Sequence, residues 1–237
     1  MKVISIITVV FFSILYTSLQ CDAQVQEADQ TLIYQPYSGG LMETKSLPPA
    51  TIEGNYYMQD SWQVGDVMLT DGETLQQTPL KYDLEHNIME IYTKRGVKII
   101  YSDKINQFSW VNRSGLTQRY VNTDRFESEE KMQSGFFEII TEGKYTLVSK
   151  NNIEYVEPNY SEIHDAGNKN GRYVHSEGYY YIISLFSHKL PKGKKSFLKI
   201  FGTEASEIAS YMKENKFGHK DRYHLRKIFE FYNSLPA

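Results

Sequence analysis

The sequence predicts an α+β fold: a mainly antiparallel β meander, curled into an incomplete barrel or folded into a two-layer sandwich, with two to three C-terminal helices packed on it. Three observations carry this. Short runs of alternating apolar and polar residues, separated by turn signals, extend from Asn55 to about Phe186. After Phe186 the spacing of apolar residues changes to that of amphipathic helices. The chain also carries 19 Tyr, 12 Phe and 2 Trp among 237 residues, and flat rings suit a pleated surface.

The first 23 residues come before any of this. Lys2 is followed by an apolar stretch from Val3 to Leu15 and a polar region ending in small residues, the pattern of an export signal that would be cut after Ala23. The stretch is shorter than the roughly 20 residues a membrane span needs, so no transmembrane span is expected in the mature chain. Cys21 admits a second reading, as the lipid-bearing first residue of a lipoprotein with peripheral membrane association. Ser18, Leu19 and Gln20 before it do not fit the aliphatic and small residues such a site requires. Cleavage after Ala23 removes the only cysteine, so no disulfide is expected. The address is exported, periplasmic or associated with the outer envelope.

Residues 24–50 are polar, punctuated by Ser38-Gly39-Gly40 and Pro48-Pro49, and read as an extended lead-in. The β domain then occupies residues 51–187. Val67 to Leu69 leads into the hairpin signal Thr70-Asp71-Gly72-Glu73. Strands follow at 80–84, 88–92, 97–101 and 108–111, then at 117–121, 136–140, 145–149, 153–156, 173–175 and 179–183. Ten or more short strands cannot lie flat, hence the curl. In residues 188–237, a helix from Ser196 to Phe201 ends at Gly202, and Thr203 is placed to cap the next, with Ala205, Ile208, Tyr211 and Met212 on one face. A last helix from about Asp221 carries Leu225, Ile228, Phe229 and Tyr232 at helical spacing.

Charge divides along the same boundary. Residues 188–237 hold 11 Lys and Arg against 5 Asp and Glu, a net of +6, while residues 24–187 hold 14 against 23, a net of −9. The plain consequence is a basic helical segment docked on an acidic sheet. The functional alternative is that Lys192, Lys194 and Lys195, in a Pro- and Gly-containing loop, form a patch for an acidic partner. The overall net charge of −3 and the exported address weigh against nucleic acid.

No sequence motif commits the chain to a reaction. It has no G-x-S-x-G or H-E-x-x-H, and its six His form no short metal-ligand pair, so no metal or cofactor is expected. The loop from Asp165 to Gly171 resembles a calcium loop but has Ala166 where the first carboxylate belongs, so it reads as a turn. Glu162, His164 and Asp165 would serve acid–base work only if they faced a cleft. Trp62, Trp110 and Tyr180, within the run Tyr179-Tyr180-Tyr181, are candidates for an aromatic binding platform.

Two stretches carry a resemblance. Tyr57 to Gly72, continuing to Leu80-Lys81-Tyr82-Asp83, and Phe201-Gly202 to Leu235 resemble the opening and ending of a group of uncharacterised exported proteins of Gram-negative bacteria. The resemblance covers roughly a third of the chain and implies a β-rich envelope protein with a helical tail, without an activity. The expectation is therefore a non-enzymatic envelope protein that binds a partner or envelope component through a sheet face or its basic tail. The alternatives are a carrier holding a lipophilic molecule inside the curled sheet, and a hydrolase acting on an envelope polymer.

Overall fold

The computed structural model describes residues 52–128, 132–161 and 163–236. The expected signal with Cys21, the lead-in, and Glu162 lie outside the described residues. Alternation builds the first strands: in β2 (Gln63–Leu69), Gln63, Gly65 and Val67 turn inward and Val64 turns outward. The turn at Thr70–Glu73 returns the chain as β3 (Thr74–Asp83), with Gly72 at φ 94°, a conformation that favours glycine. The meander continues through β4 (Ile88–Thr93) and β5 (Gly96–Tyr101). Next comes β6 (Ile105–Val111), which pairs not with β5 but with β2.

That pairing forces the curl. In a flat sheet β5 and β6 would stand four strand spacings apart, about 19 Å. Only Ser102–Lys104 connects them, and the four residue steps from Tyr101 to Ile105 reach at most about 14 Å. β3 supplies the bend. The β2–β3 register shifts between Gly65 and Val67, and Gln77 there adopts φ 48° and donates its N–H to Asp66 Oδ1 at 2.8 Å. The inside of the curl is filled by rings: Phe108 stacks on Tyr120 at 4.5 Å, with Tyr82, Trp110 and Phe136 packed around them.

The second half of the sheet runs β7 (Thr117–Asn122), β9 (Phe136–Thr141), β10 (Thr146–Val156), β11 (Gly171–Ile183) and β12 (Phe186–Lys189), with the short β8 (Glu127–Ser128) parallel to β12 at the edge. β1 (Ile52–Glu53) pairs in parallel with β11, and Tyr57 bridges Asp83 of β3, so residues 52–58 lie between β11 and β3. The result is one open, curled, mainly antiparallel sheet with three helices at the C-terminus, as the sequence predicts.

The helices α1 (Lys194–Lys199), α2 (Ala205–Glu214) and α3 (Arg222–Ser234) cover one face of this half. Leu225, Ile228, Phe229 and Tyr232 of α3 join Phe197, Phe201, Ile208 and Met212 over Leu147 of β10. Asp221 caps α3 by accepting the His224 N–H at 2.9 Å. At the other end Asn233 imitates a backbone partner: its amide donates to the Tyr145 carbonyl at 2.9 Å and its carbonyl accepts the Tyr145 N–H at 3.1 Å. Gly143 leaves the room, since a Cβ there would overlap the Asn233 side chain. Replacing Asn233 by alanine removes both of these bonds and a third, from its amide to the Glu142 carbonyl at 3.3 Å, strands the Tyr145 amide, and is expected to cost about 2 kcal/mol in denaturant unfolding. A cost within error of zero would show that the apolar stripe alone fixes α3.

Several expected boundaries shift. The stretches read as separate strands at 145–149 and 153–156 are one strand, β10, and those at 173–175 and 179–183 are one strand, β11. The first helix begins at Lys194 rather than Ser196. Thr203 does not cap α2: a 3-10 turn from Gly202 to Glu204 precedes that helix, and the Thr203 hydroxyl bonds to Glu204 Oε2 at 2.9 Å. The last strand runs to Lys189, just past the expected boundary at 188.

The many tyrosines give the fold an alkaline limit. Burial pushes the phenols of Tyr57, Tyr82 and Tyr120 well up, and burial together with the Tyr145 hydrogen bond pushes Tyr232 up to about 12. Unfolded tyrosines ionise near pH 10. Above that pH the unfolded chain therefore binds fewer protons than the folded one, and stability falls as pH rises. A pH titration followed by tyrosinate absorbance should show these groups ionising together with loss of far-UV structure. Their gradual ionisation in a chain that stays folded would contradict the enclosed core.

Candidate functional site

The sequence-predicted site residues do not gather in one place. Trp110 is 1% exposed, enclosed by Phe108 and Tyr120, and its indole N–H donates to Gln118 Oε1 at 3.2 Å. It fills the core and cannot present a ring to a ligand, which corrects the expectation of a platform there. Trp62 is half-buried and meets Tyr92 edge-on at 5.7 Å on the first half of the sheet. Lys192, Lys194 and Lys195 are exposed at the start of α1. Asp165 lies in an exposed turn closed by the Ser161–Ala166 bridge and accepts the Tyr160 hydroxyl at 2.6 Å.

Tyr180 leads to the candidate site. Side chains alternate along β10 and β11, so Leu147 and Ser149 face the helices while Val148, Lys150 and Asn152 face the opposite, outer side. The register sets Tyr180 beside Val148, and Lys189 of β12 beside Tyr180. These residues, with Ser128, Met132, Gln133 and Ser187, line an open hollow of about 320 Å³ on the outer face. Tyr181 and His188 stack on each other at 5.1 Å; alternation places their rings on the helix side, so they line the hollow through their backbone.

Lys150 is the unusual member. It is 5% exposed, yet among the described residues its ammonium makes one hydrogen bond, to Asn152 Oδ1 at 3.3 Å, and no ion pair. The Asn152 amide is itself held by the Lys150 carbonyl at 3.2 Å. Gly135, at φ 152°, lies against it: a Cβ there would stand 3.6 Å from Nζ. Burial lowers the pKa of Lys150, opposed by Asp124. Asp124 spends Oδ1 on the Ser134 hydroxyl at 2.9 Å.

The helix-covered face has a polar seam of its own. Arg222 of α3 donates to Glu138 of β9, to Glu177 of β11 and, at 3.2 Å, to Ser149. Glu138 also accepts from Gln118 at 2.9 Å, and the Tyr179 hydroxyl bonds Glu177 Oε2 at 2.6 Å. Every one of these groups is partnered, and the seam joins the helices to the sheet. The basic segment thus docks on acidic strands, as the charge division implies.

Comparisons with protein-family models, with curated proteins and with solved structures found no match. Among the described residues no helix is long and apolar enough to cross a membrane.

Lys150 escaped sequence reasoning because it follows the apolar run ending at Ser149 and reads as the first residue of a loop. Only the register of β10 against β11 shows that it continues the strand and faces the side that Val148 faces. No local signal in the sequence marks it.

Proposed function

We propose that the protein is an exported, non-enzymatic binding protein that holds an envelope component or partner on the outer face of its sheet. The observation that carries this reading is the outer-face hollow with Lys150 in its lining, a buried lysine whose ammonium makes one hydrogen bond among the described residues. Natural chains rarely bury a charged amine without partners, because desolvation is unfavourable. Such a group at the wall of an open hollow is explained if an acceptor arrives from outside. The rings packed inside the curl favour this outer face over a ligand carried within.

Native mass spectrometry of the mature protein, isolated gently from its own host's envelope, tests the reading. A non-covalently bound component is expected. That component should persist when Lys192, Lys194 and Lys195 are together replaced by glutamine, since they stand on the helical segment. A bare chain would overturn the reading, and loss of the component in the triple variant would move the site to the basic tail.

A further inference from the structure

Resting on that reading, we infer that the hollow between β10, β11 and β12 takes a small polyhydroxylated anion, a sugar unit bearing a carboxylate or a phosphate, with the anionic group on Lys150 Nζ. Lys150 offers three donors and Asn152 Oδ1 receives one, so two remain for oxygens of an incoming anion. Asn152 is oriented by its bond to the Lys150 carbonyl, which keeps Oδ1 turned towards Nζ, so the ammonium is positioned before any ligand arrives.

The rest of the wall selects against a purely apolar ligand. Gln133 and the second amide hydrogen of Asn152 supply polar groups suited to sugar hydroxyls, and Tyr180 adds a half-buried ring next to them. At about 320 Å³ the hollow stands at the small end of ligand sites, which fits one sugar unit better than a lipid chain. An envelope polymer offers such units in series, so a site of this size would grip one residue of a longer chain.

The substitution Lys150→Met separates binding from folding. It replaces an under-bonded buried ammonium with an apolar side chain of similar length, so the variant should unfold at the same temperature as the parent or a higher one. Titration of the full mature protein with glucuronate and with glucose 6-phosphate, followed by NMR, should shift the side-chain resonance of Lys150 and the amides of β10 and β12. In Lys150→Met the affinity should fall at least tenfold. Glucose binding as well as the two anions would overturn the role of charge, and inorganic phosphate binding as well as they do would overturn the role of the sugar. If Lys150→Met fails to fold, the Lys150 resonance of the parent still decides: no shift with either anion overturns the assignment. A host component retained by the parent without any change at Lys150 would leave the binding reading standing and remove this site from it.

Discussion

Replacing Arg222 by methionine is expected to cost about 3 kcal/mol of stability, read from chemical denaturation at neutral pH. Arg222 begins α3 and reaches two strands at once, Glu138 on β9 and Glu177 on β11. Glu138 is 6% exposed, and its remaining donor is the Gln118 amide. Removing the guanidinium leaves a desolvated carboxylate beside a neutral amide, and breaking a buried pair from one side is costly for that reason. The guanidinium is partly open to water, which places the expected cost at the lower end of the range for buried pairs. The double variant Arg222→Met, Glu138→Gln should recover much of the loss, because it removes the stranded charge as well as the pair. Additive losses in that cycle would mean that Arg222 acts through its contacts with α3 and not through Glu138. The apolar stripe of α3 remains in all these variants, so the helix should persist while its docking loosens.

The sheet was legible where alternation is clean. Val67 and Leu80 mark strands with a buried face and Ile88 to Ile91 a strand buried on both, and the turns between them carry Gly72 and Asn87 where φ is positive. Legibility failed in the middle of β10 and β11. Lys150-Asn151-Asn152 and Ser176-Glu177-Gly178 interrupt their apolar runs and read as loops. The register pairs these two polar blocks with each other, Lys150 with Gly178, Asn151 with Glu177 and Asn152 with Ser176. Alternation then sends Lys150 and Asn152 to the outer hollow and Glu177 to the Arg222 seam. The residues that broke the strand pattern are therefore those that build the candidate site and the helix clamp, where local preference gives way to a tertiary role. Arg222 and Glu138 are 84 residues apart in the chain, and nothing local links them. The charge division between sheet and tail did point to their meeting, as a property of segments and not of residues.

Gly65→Ala is the substitution expected to do the most damage for its size, a loss of about 3 kcal/mol or more. Gly65 sits opposite Trp110 in the β2–β6 ladder, just before the register shift that bends β3 around the core. A Cβ at Gly65 would overlap the backbone carbonyl of Ser109 and stand 2.9 Å from the Cβ of Trp110. A backbone oxygen cannot rotate aside as a side chain can, so β2 and β6 must separate. Their separation disturbs the enclosure of Trp110, and a red shift of its fluorescence should accompany the loss of stability. Gly115 is the contrasting case. It has φ 75° in the β6–β7 turn with nothing near its missing Cβ, so alanine there meets only backbone strain of about 1 kcal/mol. If the two glycines proved equally replaceable, the close approach of β2 to β6 would not be what holds the curl. The short connection through Ser102–Lys104 would then have to hold it alone.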